Sequence, residues 1–183
     1  MTGRPTDDEL LETLRIAQRF GVLGPVRVVD VVAHARAFVA ALEPVHGRVV
    51  DLGSGAGVPG LVVAHDRPDL EIVLVDRRSK RTDLLERAIR RLGMDGRVEV
   101  RCEDVEQTIS NEPAAFDGVT ARSFGPPSRT LALAARLRAP DGVIVVSEPP
   151  DGDRWPPEMV AAHGLVHVRQ GPVAVFSAAD VAG

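Results

Sequence analysis

"VVDLGSGAGVPG", residues 49–60, decides the reading of this chain. A short apolar run ends in a carboxylate, and four glycines fall in the eight positions behind it. Glycines at a strand-to-helix turn accept positive φ and let a ligand approach the main chain beside the positive end of the next helix. Gly55, Gly57 and Gly60 satisfy GxGxxG, and Asp76 follows at about the distance of a dinucleotide fold's ribose-binding acid. A nicotinamide cofactor therefore has to be weighed against a sulfonium one. Asp51 is expected to point from its strand toward the ligand mouth, where a dinucleotide would set its pyrophosphate. Like charges about 5 Å apart at an effective dielectric of about 20 repel by roughly 3 kcal/mol. A zwitterion carrying an ammonium and a sulfonium suits that acid better, and Asp51, Gly53, Gly55 and Gly57 give the hhDhGxGxG form of S-adenosylmethionine (SAM) binding proteins.

Working outward, the chain alternates β-rich runs with helix-length segments, the pattern of a mostly parallel sheet covered by helices. Strands are expected at 48–52, 71–76, 97–102, 116–121 and 142–147, with helices near 59–66, 79–93, 103–110 and 127–138. In the second of these helices Leu84, Leu85, Ala88, Ile89 and Leu92 form one apolar stripe, flanked by the i,i+4 pairs Asp83 with Arg87 and Glu86 with Arg90. "LVHVRQGPVAVFSA" is two apolar runs split by Gln170, Gly171 and Pro172, too close for a crossover helix, and predicts an antiparallel hairpin. Residues 7–20 and 28–42 read as two further helices. The expected fold class is α/β, a seven-stranded mostly parallel sheet with a C-terminal antiparallel hairpin. The expected organisation is one domain over 1–183, with a helical cap at 1–45 and the cofactor-binding core at 46–183.

Composition narrows the function. The 183 residues and 44% apolar content suffice for a single core. No run approaches the roughly 20 apolar residues of a membrane span. The N-terminal "MTGRPTDDELLETL" lacks a basic-then-apolar leader pattern, so the expected location is cytoplasmic. One cysteine excludes an internal disulfide and a cysteine-based metal cluster. No group of His, Asp and Glu has metal-ligand spacing, so no metal is expected. The net charge of −4 gives no general attraction to nucleic acid, yet residues 76–101 hold nine Arg or Lys against five Asp or Glu.

Individual positions follow from the strand tips. Asp76 would accept both ribose hydroxyls, although the position also suits a helix-opening acid ahead of Ser79. Glu103 and Asp104 would lie near the adenine amine, although acids also suit a helix's first turn. Arg122, in "TARSFGP", could hold guanine O6 or a phosphate with its planar fork, or pair with a nearby helix. Phe124 could stack on a base or belong to the core. Arg77, Arg78, Lys80 and Arg81 could touch phosphates or form a solvated face. Cys102 reads as a buried small apolar side chain, His34 as a packing or surface residue, and Trp155 as a loop anchor.

"LGPVRVVDVVAHARAFVAALEPVHGRVVDLGSGAGVPGLVVAHDRPDLEIVLVDRRSKRTDLLERAIRRLG", followed in order by "RCED" at 101–104 and "FDGVTARSFGP" at 116–126, resembles the family of 16S ribosomal RNA guanine-N7 methyltransferase G, also called GidB. The proline before the last glycine of "DLGSGAGVPG" is its distinctive mark. The resemblance covers about residues 20–147. It implies a Rossmann-like class I methyltransferase, SAM as cofactor, and ribosomal RNA or the 30S particle as partner, acting as a monomer. It carries cofactor contact to Asp51, Gly53, Ser54, Gly55, Gly57, Pro59, Asp76, Arg77, Cys102, Glu103, Asp104 and Arg122, and a catalytic role to Arg122. The family's lysine and glycine after the fifth strand are replaced by "SEPP", which puts Glu148 near the lysine. Its basic C-terminal ending is replaced by "FSAADVAG", and its N-terminal helical region is shortened. An acid at 148 would repel phosphate. These departures keep two alternatives open, a SAM-dependent methyltransferase of a small molecule and a non-catalytic SAM-binding paralogue.

Overall fold

The computed structural model of the chain describes residues 4–150 and 154–179. Residues 180–183 of the C-terminal "FSAADVAG" and residues 1–3 of the N-terminal stretch lie outside that span. Among the described residues the strands are β1 (Arg48–Leu52), β2 (Glu71–Val75), β3 (Val98–Arg101), β4 (Phe116–Ala121), β5 (Arg138–Ser147), β6 (Leu165–Gln170) and β7 (Val173–Ala178). They form one seven-stranded sheet in the order β3-β2-β1-β4-β5-β7-β6. The first five are parallel, and β7 runs antiparallel between β5 and β6. The mostly parallel sheet and its terminal hairpin are as expected from the pattern.

The helices are α1 (Asp7–Arg19), α2 (Val28–Ala41), α3 (Gly60–Asp66), α4 (Ser79–Arg91), α5 (Val105–Asn111), α6 (Pro127–Leu137) and α7 (Pro157–Ala161). Alternate residues of a strand point to opposite faces of the sheet, and β1 and β2 show the result. Val49, Ile72 and Leu74 pack with Leu10, Phe38, Leu61 and Leu85 of α1 to α4. Val50, Leu52, Val73 and Val75 pack with Val105, Ile109, Leu131 and Leu137 of α5 and α6. Burial on both faces explains why these strands read as nearly continuous apolar runs. At the start of α1, Thr6 and Glu9 form a reciprocal capping box, with the Thr6 N–H to Glu9 Oε2 at 2.8 Å.

On α4, Leu85, Ala88, Ile89 and Leu92 are buried as the stripe requires, while Leu84 is half-buried. Arg90 pairs with Glu86 at 3.7 Å; the expected Asp83–Arg87 pair is not formed. Trp155 does anchor its loop: it is buried and meets Phe176 edge-on at 4.8 Å between ring centroids.

Because β1 to β5 are parallel, their C-terminal tips share one edge. The chain leaves β1 toward β2 on one side, and β4 lies on the other. That reversal of strand order opens a crevice, the place where open α/β sheets bind ligands.

Candidate functional site

The glycine loop crosses that edge. Ser54 N–H donates to the Val75 carbonyl at 2.9 Å, tying the loop over the end of β2. Gly53 has φ +65°, and a Cβ there would stand 2.7 Å from Cδ2 of Phe124. Glycine thus meets two demands here, a left-handed turn and room for an aromatic ring.

A cleft of about 350 Å³ lies beside this loop, lined by Gly53, Asp76, Arg77, Arg78, Arg81, Glu103, Asp104, Ser123, Phe124 and Arg129 among others. Asp76 is 4% exposed. Its carboxylate accepts from the Gly55 N–H at 3.0 Å, the Arg78 N–H at 3.0 Å and the Arg81 guanidinium at 3.2 Å. The two main-chain donors fix its rotation. Arg81, a third exposed, is a donor that a ligand hydroxyl can displace. Across the cleft Glu103 accepts from the Thr108 hydroxyl at 2.7 Å. Asp104 stands exposed at the N-cap of α5 without a side-chain capping bond, so its carboxylate is uncommitted to the helix. Gly53, Asp76, Arg77, Glu103 and Asp104 therefore line one cleft, and Gly55 joins them through its N–H on the Asp76 carboxylate.

The other expected contacts lie elsewhere. Asp51 does not face the mouth. It is 1% exposed, beneath the loop, and accepts from the Thr120 hydroxyl at 2.8 Å and the Gly60 N–H at 3.3 Å. Register explains this, since Asp51 sits opposite Thr120 in the β1–β4 ladder. Burial pushes its pKa up to about 6, against the opposing hydrogen bonds and the charge of Arg122. The like-charge argument against a pyrophosphate thus loses its geometry. Ser54 is buried too, its hydroxyl donating to the Asp51 carbonyl at 2.9 Å. Gly57 and Pro59 form the back of the loop against α3, behind the cleft. Cys102 is exposed, not buried: β3 ends at Arg101, so the cysteine falls in the turn beyond the ladder rather than under it.

Arg122 follows β4 and lines a second cleft of about 320 Å³, with His34, Ser123, Ser147, Glu148 and Arg154. Its Nε donates to the Val58 carbonyl at 3.3 Å. Desolvation holds Arg122 below the ordinary guanidinium value, with Asp51 opposing. No helix acid pairs with it among the described residues. Burial and the charge of Arg122 keep His34 below the usual imidazole range, hence neutral near pH 7. Ser123 lines both clefts and has φ +53°, a left-handed residue that sends its neighbours apart, Arg122 into the second cleft and Phe124 into the first. Glu148 turns into the protein: its side chain is 1% exposed and accepts from Trp155 Nε1 and from Arg154 at 3.3 Å. Arg154 thus pairs with Glu148 beside the second cleft, through Oε1, while Oε2 is buried without a hydrogen-bond partner among the described residues.

Sequence reasoning missed Ser123 and the Glu106–Arg129 pair, 2.8 Å across the mouth of the first cleft. The pair joins two helices 23 residues apart, and no local spacing announces it. It also missed Asp7, His65 and Asp66, which folding gathers within 4.8 Å. Arg36 already bridges both carboxylates there, at 2.8 Å and 2.9 Å, so the cluster fastens α1 and α2 to α3.

Comparison with known proteins follows the same lines. The sequence model of the family described as rRNA small subunit methyltransferase G matches residues 23–149. A protein named ribosomal RNA small subunit methyltransferase G from Acidothermus cellulolyticus is 36% identical over 169 residues, covering 89% of this chain and 72% of that protein. Its namesake from Salinispora tropica is 39% identical over 113 residues, covering 60% of this chain and 47% of the relative. The chain thus spans about half the length of the Salinispora protein. Among solved structures, a putative O-methyltransferase from Klebsiella pneumoniae superposes with TM-score 0.70 at 18% identity, over 95% of this chain and 91% of that one. An O-methyltransferase from Bacillus cereus, solved with SAH (S-adenosylhomocysteine), gives 0.68 at 17%, over 94% and 92%. These likenesses show the Rossmann-like methyltransferase fold.

Proposed function

Because the chain belongs to the rRNA small subunit methyltransferase G family, we propose that it transfers a methyl group from SAM to N7 of a guanine in small-subunit ribosomal RNA. The observation that carries the cofactor half is the first cleft. A buried carboxylate, Asp76, is held by two main-chain N–H groups at the tip of β2, with an uncommitted acid, Asp104, on the opposite wall. The two acceptors, Asp76 on one wall and Asp104 on the other, fit a ribose diol and an adenine amine, since both present hydrogen-bond donors. Displacement of Arg81 from Asp76 by the ribose hydroxyls keeps the carboxylate satisfied. Bound there, SAM would supply an electrophilic methyl sulfonium.

The second cleft would take the base. Guanine N7 carries a free lone pair in the neutral base, so no side chain has to remove a proton, and the chain's own contribution is orientation and proximity. Arg122, which lines this cleft, would donate to guanine O6 with its fork and leave N7 unoccupied. His34, neutral, can donate or accept at the same rim. Ser123 sets the two clefts side by side. The reading requires neither a metal nor a second subunit, and a ribosomal substrate would place the protein in the cytoplasm.

The test is methyl transfer to deproteinised small-subunit RNA and to 30S particles from cells that lack the N7 mark, with SAH affinity measured by calorimetry. Transfer to either substrate, lost when the acceptor guanine is already methylated, is expected. Asp76→Ala should weaken SAH binding by about 1.5–3 kcal/mol, the scale of a hydrogen bond to a charged group. Tight SAH binding with no transfer to either substrate overturns the activity, and a change under about threefold in Asp76→Ala overturns the ribose assignment.

A further inference from the structure

One part of the surface belongs to neither cleft. Where α1 ends, Phe20 stands 65% exposed, one of five phenylalanines in the chain. It borders a recess of about 710 Å³ against the start of α4, where Arg77, Arg78, Lys80, Arg81 and Arg87 face a single acid, Asp83. Of these cations only Arg81 is in a salt bridge among the described residues. A formal excess of four positive charges (five cations less one acid) is thus concentrated in one groove of a chain whose net charge is −4.

Two further features give the groove direction. Arg77, Arg78 and Arg81 line both this recess and the Asp76 cleft, so the recess adjoins the proposed cofactor site. Behind Phe20 a smaller apolar recess of about 280 Å³, walled by Ile16, Leu84 and Ala88, is rimmed by Arg87 and Arg91. An ordinary solvated face mixes charges of both signs and spares aromatic rings from water. An exposed ring set among unpaired cations instead matches single-stranded nucleic acid, whose phosphates meet the cations while a base lies on the ring.

We propose that this groove is the docking track for a single-stranded stretch of the substrate RNA flanking the target nucleotide. One base lies on Phe20 and Leu84, and phosphates run along Arg78, Lys80 and Arg87 toward the cofactor cleft. The inference rests on the ribosomal RNA reading above.

The experiment uses the SAH-bound protein and a labelled single-stranded RNA oligomer, with affinity measured as salt is raised. Lys80→Gln with Arg87→Gln should lower the slope of log K against log salt by about 1.4, since each single-strand phosphate contact contributes about 0.7. Phe20→Ala should weaken binding at least about fivefold with little change in slope, and Phe20→Trp should restore it. SAH affinity and melting temperature should stay at the parental values in all three. Parental oligomer binding and parental 30S methylation in both the charge and the Phe20→Ala variants would overturn the groove while leaving the activity standing. An acidic peptide that competes with the oligomer and is indifferent to Phe20→Ala would overturn it as well. Failure of the parental protein to methylate any RNA counts against the activity instead.

Discussion

Asp51 is an acid on which stability and pH meet. Its folded-state pKa of about 6 lies above the ordinary value of 3.8, so between those values the folded chain holds a proton that the unfolded chain has released. The stability this group contributes is therefore greatest below about pH 4, falls as pH rises through 6, and is constant above. The span corresponds to about 3 kcal/mol. Asp51→Asn keeps an acceptor for the Gly60 N–H and a partner for Thr120, so urea unfolding should show a flatter profile between pH 4 and 6 and a more stable protein at pH 7. An unchanged slope would mean that the carboxylate is ionised throughout. The same residue shows what a motif leaves out. The pattern "DLGSGAG" located the loop, but whether the carboxylate faces ligand or core is set by Thr120, 69 residues away across the β1–β4 ladder. Cys102 teaches the converse, since a strand that stops one residue early turns an apolar side chain out to water. Asp76, Glu103 and Asp104 were legible because Asp76 follows β2 directly and the two other acids lie within three residues of the end of β3, and parallel strands present their tips on one edge.

At the scale of elements, α3 is locked to β1 through a glycine. A Cβ on Gly60 would overlap the Leu74 side chain and approach Asp51 Oδ2 to 2.8 Å. Gly60→Ala should therefore lower the unfolding free energy by about 1–3 kcal/mol, the cost of overpacking, although alanine is the better helix former. Chemical denaturation would measure it, and a stabilised variant would show that α3 can slide along the sheet. Helix and strand positions followed from periodicity to within a few residues, except the five-residue α7 (Pro157–Ala161), which was not expected at all. Among the expected elements the largest departure is β5, which begins at Arg138 rather than Gly142. The ladder there slips between Phe116 and Gly118, and Arg138 donates back to the Gly142 carbonyl at 3.0 Å. Such an irregularity arises from the neighbouring strand, not from the local pattern "RAPDG".

At the scale of the molecule, both faces of the central parallel strands β1 and β2 are sealed by apolar packing, and the candidate clefts lie along one edge. A ligand that binds only the folded chain should raise its melting point. SAH at about one hundred times its dissociation constant adds about 2.7 kcal/mol, or a rise of about 5–11 °C for a chain of this size. NAD should give no shift. A rise with NAD and none with SAH would return the glycine loop to a dinucleotide. The fold class and the cleft were readable because they follow from pattern along the chain. The Asp7–His65–Asp66 cluster, the Glu148–Trp155 tie and the groove at Phe20 were not, because each joins segments that meet only after folding. The sheet order has a temporal corollary. Strand β6 has β7 as its sole ladder neighbour among the described residues, and β7 is made after it. During translation, then, residues 165–170 leave the ribosome with nothing to zip onto. The flank of β5 stays unsheathed until residues 173–178 emerge and slide between the two, so a nascent chain with β6 out and β7 still absent carries two open strand edges at once.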